Sequence, residues 1–138
     1  MGDDRGVLGR LMGAMATNVD SRDVQIRVPA KPDYLVLARL ALSAICRLTP
    51  LGHNEIADLK LAITEAATGF IAADDDSDRQ IEFRFRLDDT RLELELRGQP
   101  SNVPEAEQEL SRAIVEATVD EVELAPERAV LVKLLPAR

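Results

Sequence analysis

Aromatic residues are nearly missing from this sequence: it holds no Trp, one Tyr and three Phe among 138 residues. The core must therefore be aliphatic, and the stacking platforms that proteins use to grip bases and sugars are scarce. Cys46 is the only cysteine, which excludes an internal disulfide and a multi-cysteine metal site. It falls within an apolar helical pattern, where a free thiol serves as a small hydrophobe. His53 is the only histidine, and neither it nor Cys46 has the neighbouring nucleophile, base or ligand set that a catalytic triad or zinc site needs. Long apolar runs are absent too. The first twenty residues open with Asp3 and Asp4 and fit neither a signal peptide nor a membrane span, so a cytoplasmic protein is expected.

What is present is a composition of 46% hydrophobic and 30% charged residues, that of a globular chain with room for one domain. Acidic residues outnumber basic ones 25 to 17, a formal charge of -8. Such a surface repels phosphate backbones and anionic lipids, which argues against direct nucleic-acid or membrane binding. Residues 1–22 are expected to form an N-terminal extension and 23–138 a single domain. In the extension Val7, Leu8, Leu11, Met12 and Met15 recur at helical spacing, but Gly6, Gly9 and Gly13 interrupt them; a short helix and a poorly ordered terminus both fit.

Val24, Ile26 and Val28 alternate with polar residues over Asp23 to Val28 as in a strand, which Pro29 and Pro32 close. Pro32 and Asp33 suit a helix start, and Leu35, Leu37, Ala38, Ala41, Leu42, Ile45 and Cys46 supply an apolar face before Pro50 and Gly52 break it. Arg39 and Arg47, eight residues apart on this helix, read as a solvated edge or as part of a charged docking surface. Asn54 is the expected N-cap of a second helix that carries Ile56, Leu59, Leu61, Ala62, Ile63, Ala66, Ala67, Phe70 and Ile71 to about Ala73. Asp74, Asp75, Asp76 and Asp78 then mark a solvated turn, since the ligand spacing and glycine of a calcium loop are missing.

Two cleanly alternating strands follow, Ile81, Phe83, Phe85, Leu87 and then Leu92, Leu94, Leu96, joined by a turn at Asp88, Asp89 and Thr90. Their outward Arg and Glu residues are placed to pair across the hairpin. Gly98 to Pro104 reads as a loop, and a third helix from about Glu105 is expected to turn Leu110, Ala113, Ile114, Ala117 and Val115 inward. Val119 to Leu124 and Arg128 to Leu135 complete the pattern as two strands, the last more buried. The order strand, helix, helix, strand, strand, helix, strand, strand predicts a two-layer α/β (α+β) sandwich: a mixed, mostly antiparallel sheet with its helices on one face.

The run Glu55-Ile56-Ala57-Asp58-Leu59-Lys60-Leu61-Ala62-Ile63-Thr64-Glu65-Ala66-Ala67-Thr68 resembles the second helix of the bacterial anti-sigma factors and switch-protein serine kinases. Asp120-Glu121-Val122-Glu123 and Val130-Leu131-Val132-Lys133 are similar to that family's closing strands. The resemblance spans about Val24 to Leu135 and implies the histidine-kinase-like (Bergerat-type) ATPase fold. In the family, a Glu of this helix is the base for a serine hydroxyl and an Asn one turn later holds magnesium on the nucleotide. By the resemblance Glu65 stands at the base position, but Gly69 stands where the Asn belongs, with no side chain to ligate anything. The family's Asp-x-Gly-x-Gly loop for adenine becomes Leu96 to Asn102 with the single glycine Gly98, and Pro100 removes an amide donor. Its phosphate-binding Gly-x-Gly turn becomes Glu105-Ala106-Glu107-Gln108-Glu109-Leu110, where carboxylates oppose a triphosphate.

The resemblance thus implies a regulator that binds a sigma factor, an anti-anti-sigma partner of the sulfate-transporter-and-antisigma (STAS) type, or both. Glu65 would be the relic of a base, with no cofactor and no metal expected. A homodimer is compatible with it. The alternative is an active serine kinase using ATP and magnesium with Glu65 as base, and a third reading is a module that keeps the fold and has lost its partners.

Overall fold

The alternating patterns become strands in the computed structural model, which describes residues 22–71 and 78–136. Residues 1–21 of the N-terminal extension and the run Asp74 to Asp76 lie outside the described residues, while Arg22, placed at the end of the extension, already belongs to the first strand. Five strands, β1 (Arg22–Pro29), β2 (Gln80–Leu87), β3 (Arg91–Arg97), β4 (Glu121–Ala125) and β5 (Arg128–Leu134), form one sheet in the order β1-β2-β3-β5-β4. All four pairings are antiparallel, so among the described residues no neighbouring strands run parallel as a mixed sheet would allow. Helices α1 (Leu35–Cys46) and α2 (His53–Ala67) bridge β1 to β2, and α3 (Glu105–Thr118) bridges β3 to β4. The β5 strand enters between β3 and β4 and thereby divides that crossover.

One face of the sheet is dry. Ile81, Phe83, Phe85 and Leu87 of β2, Leu92, Leu94 and Leu96 of β3, and Ala129 and Leu131 of β5 are all buried with the inner residues of the helices. The period of two along each strand fixes this register, because a slip by one residue would turn the whole apolar set to water. The hairpin turn is held by Asp88, whose Oδ1 accepts the amide of Thr90 at 2.8 Å and that of Arg91 at 3.0 Å. β1, at the edge, follows its pattern less strictly: Val28 is buried, Ile26 is half-buried and Val24 is exposed.

The other face is a field of ion pairs that extends beyond the expected hairpin. Arg84 grips Asp23 of β1 with two hydrogen bonds of 3.0 and 2.6 Å, and Arg86 pairs with Glu93 at 2.7 Å. At the centre, Glu95 is only 3% exposed and is held by Arg128 at 2.6 Å, Arg97 at 2.8 Å and Arg86 at 3.4 Å. Burial alone raises the Glu95 pKa; hydrogen bonds from Arg128 and Arg97 more than reverse this and hold it below the ordinary carboxylate range.

The helices depart from expectation in phase. In α1, Leu35, Ala38, Leu42, Ile45 and Cys46 face the sheet, but Leu37, placed on the same face from sequence, is exposed. The α2 helix begins at His53, with Gly52 and not Asn54 at its N-cap; the Glu55 carboxylate reaches back to the Gly52 amide at 3.0 Å. It ends in a single 3-10 turn, Thr68–Phe70, short of Ala73. The largest difference is in α3, where Val115 alone is fully buried and Leu110, Ala113 and Ala117 point outward. The inward positions Ser111 and Thr118, half-buried with Ile114, are polar, so hydrophobic periodicity could not find this face.

Cys46, the last residue of α1, is buried, and its thiol pKa is pushed up to about 11 by burial, partly offset by Lys60. A thiolate is the reactive species. Iodoacetamide at pH 8 is accordingly expected to leave the native chain unmodified and to label it fully in urea, as mass spectrometry would detect; rapid labelling without denaturant would contradict this burial.

Candidate functional site at the end of the second helix

Three segments meet where α2 runs out. Thr68 Oγ1 donates to the Glu65 carbonyl at 2.7 Å, and the chain tightens into the 3-10 turn, which exposes the carbonyls of Thr68 and Gly69. The loop after β3 closes on them: the Ser101 amide donates to the Gly69 carbonyl at 2.8 Å, and Ser101 Oγ lies 3.1 Å from the same oxygen and 3.3 Å from that of Thr68. Arg79 fixes the loop from the other side by donating to the carbonyls of Gln99 at 2.6 Å and Pro100 at 2.9 Å.

The α3 helix forms the third wall. Its start is set by Pro104 and by Gln108, whose side chain donates to the Val103 carbonyl at 2.8 Å. One turn further, Ser111 Oγ donates to Glu65 Oε1 at 2.9 Å and lies 3.5 Å from Thr68 Oγ1. A cavity of about 380 Å³ remains between these walls. Phe70, Val115, Leu124 and Ala129 make its apolar side, and Glu65, Glu109, Arg112 and the serines make its polar side.

The residues singled out from sequence are thus partly assembled. Glu65 and Gly69 line the cavity; Gly98 lies behind Phe70, outside the lining. The two glycines differ physically. A Cβ at Gly69 would meet nothing within 4 Å, so packing does not demand glycine there. A Cβ at Gly98 would lie 3.2 Å from Phe70 Cδ1, so even a small side chain forces the ring to move. Of the glutamates in the segment matched to the phosphate turn, Glu109 lines the cavity while Glu105 and Glu107 belong to the exposed first turn of α3. His53 is exposed at the start of α2, far along the helix from Glu65. Arg39 and Arg47 do not act together: Arg39 turns toward Thr64 of α2 at 3.4 Å, and Arg47 is exposed at the end of α1. Among the described residues no three His, Cys, Asp or Glu side chains gather as metal ligands.

Sequence reasoning missed Ser111, Arg112 and Phe70 as parts of this site. Ser111 is a polar residue on the inward side of a helix whose apolar pattern points elsewhere, and Arg112 is an exposed residue beside it. Phe70 was counted as core, which it is, but its contact with Gly98 needs the fold to appear.

A helix-borne carboxylate thus faces a loop and a third helix on one side of an antiparallel sheet. Residues 28–132 match the histidine kinase-like ATPase domain. The serine-protein kinase RsbW of Bacillus velezensis is 30% identical over 112 residues, covering 78% of this chain and 69% of that protein; RsbW of Bacillus subtilis gives the same values. RsbW of Listeria innocua is 34% identical over 82 residues, 58% of this chain and 51% of its own. Among solved structures, that of the RsbU and RsbW domains of Rv1364c from Mycobacterium tuberculosis matches with a TM-score of 0.60 at 19% identity. The match covers 85% of this chain and 34% of the other, and it speaks for the fold. The chain belongs to the histidine kinase-like ATPase family, in its RsbW-like anti-sigma branch.

Proposed function

We propose that this chain is a cytoplasmic anti-sigma-type regulator that works by binding a sigma factor, a STAS anti-anti-sigma partner, or both, without phosphorylating either. The observation that carries the reading is the hydrogen bond from Ser111 to Glu65: the family's base has a hydroxyl of its own chain as its partner, on a helix packed across the site. A base performs proton transfer only when a substrate hydroxyl and an activated phosphoryl group come within reach. Here Gly69 offers a carbonyl already taken by Ser101, and Glu109 adds negative charge to the cavity wall. These groups fit a magnesium triphosphate poorly. What remains is surface. The outward row Val36, Leu37 and Leu40 of α1, with Leu48 beyond it, supports partner binding, since an apolar row of this kind is uncommon on a surface with no partner.

Calorimetric titration with ATP and magnesium tests this reading. No saturable heat and no ligand-dependent rise in melting temperature are expected. Saturable binding, with phosphate transfer to a serine of a bound STAS protein that Glu65→Gln abolishes, would restore the kinase alternative. On the binding-only reading Glu65→Gln leaves partner affinity unchanged and costs at most about 1 kcal/mol of stability, because the Gln oxygen still accepts from Ser111 and only the charge assistance is lost.

A further inference from the structure

The α3 helix turns its largest apolar side chain to water. Leu110 is 63% exposed, and Ala106, Ala113 and Ala117, one turn apart on the same side, are exposed with it. Half-buried Ile114 lies at the edge of this row toward α2. The two helices run antiparallel: Glu65 meets Ser111, while Lys133 lies 3.6 Å from Glu55 at the start of α2 and 3.8 Å from Asp120 just beyond the end of α3. Leu61, one turn before Glu65 on the same side of α2, is 44% exposed and continues the apolar strip.

Helical spacing places Glu107 on one flank of this strip and Glu109 and Glu116 on the other, all exposed. The helix carries four glutamates to one arginine. Glu105 and Glu107 have a local explanation, since carboxylates in a first turn stabilise the helix N-terminus. Glu116 differs: Arg112 lies one turn before it, but it sits near the C-terminal end, where a negative charge opposes the helix dipole and the last turn holds no basic residue.

We propose that this strip of α3 and α2 is a docking surface for a cationic amphipathic helix of a partner protein. The partner's apolar ridge packs on Leu110, Ala113, Ala117 and Leu61, and its Lys or Arg flanks meet Glu107, Glu109 and Glu116. A second copy of this chain does not fit the face in a two-fold contact, because it would bring glutamates against glutamates. The inference rests on the binding-regulator reading above, but ATP titration does not touch it: a failed docking surface leaves that reading standing, and ATP binding leaves this surface to be judged by its own experiment.

The probe is a fluorescein-labelled synthetic helix with leucines at i, i+3, i+4 and i+7 flanked by lysines, titrated with the full chain and read by anisotropy. Saturable binding is expected, with a loss of about ten-fold or more in both Leu110→Ser and the triple variant Glu107→Lys, Glu109→Lys, Glu116→Lys. A control triple with the same change in net charge, Asp89→Lys, Glu121→Lys, Glu127→Lys, alters exposed residues off the strip and should bind nearly as wild type. Circular dichroism establishes that each variant is folded, and amide chemical-shift changes on α3 in the wild-type titration locate the contact independently of any variant. Absence of binding, equal weakening by the two triples, or shifts confined to other elements would overturn the proposal. So would sedimentation in which Leu110→Ser turns a dimer into a monomer, since the face would then be an interface between copies.

Discussion

Replacing Glu95 by alanine is expected to lower the unfolding free energy by about 2–3 kcal/mol, one of the largest losses from any single polar residue in this chain. The side chain is 3% exposed and accepts from three arginines contributed by β2, β3 and β5. Alanine leaves those guanidiniums facing one another across the middle of the sheet. Their side chains remain 40–59% exposed, so water relieves part of the repulsion, which keeps the loss below that of a fully buried pair. The same site sets a pH dependence whose sign follows from the lowered pKa. A carboxyl with a folded pKa below its unfolded value contributes stability that is complete above the unfolded value and is lost as pH falls through the folded one. Urea unfolding at neutral pH should separate wild type from Glu95→Ala by the full amount. The gap should shrink below the ordinary glutamate pKa of about 4.3, and a gap that stayed constant to pH 2 would show that lost packing, and not charge, is the cause.

Glu95 also marks a limit of what the sequence discloses. The hairpin was legible because Ile81 to Leu87 and Leu92 to Leu96 alternate without a break, and alternation assigns each residue to a face. That rule sends Glu95 to the wet side with Glu93 and Arg97. It says nothing of β5, which brings Arg128 alongside and takes Glu95 out of solvent. Strand order across a sheet is a long-range property, and local periodicity carries no information about it. The helical pair that holds the candidate site was read by the same local rules with mixed success. The α2 helix was legible in its existence, because its apolar residues are dense and its resemblance to the serine-kinase helix is continuous, but its cap falls at Gly52 and Leu61 turns outward. The α3 helix did not, because its apolar stripe and its buried stripe are different stripes. Leu110 and the alanines suggest one face, while Ser111, Val115 and Thr118 occupy the other. A serine earns its inward position only through an acceptor, Glu65, that lies 46 residues away.

This divergence between apolar pattern and burial bears on function, since outward apolar residues are what a binding protein offers its partner. The α3 helix has no large residue to spare inside, so its tie to α2 relies on hydrogen bonds at Ser111 and on Val115. The α1 helix is built differently. It is apolar almost all round, with two usable faces, and the fold selects one of them for the core.

The second large effect follows from that selection. Leu42 and Leu40 are chemically identical, two residues apart, and about half a turn around α1 from one another. Leu42 is fully buried against the sheet, whereas Leu40 is 61% exposed. Leu42→Ala should therefore cost about 3 kcal/mol, the transfer of the lost methyl groups plus the cavity left among neighbours that cannot close in. Leu40→Ala should stay within about 0.5 kcal/mol of wild type, as truncations in solvent do. The two variants unfolded in urea side by side measure the phase of α1 directly. Equal costs would mean that the exposed row is covered in solution. In that event the concentration dependence of the wild-type midpoint would reveal whether the cover is another copy of the chain, because a bound second copy makes stability rise with protein concentration. With Leu42 costly and Leu40 free, Val36, Leu37 and Leu40 stand as an apolar row held in place by the core yet contributing nothing to it, and substitutions there can then be tested for partner binding without loss of fold.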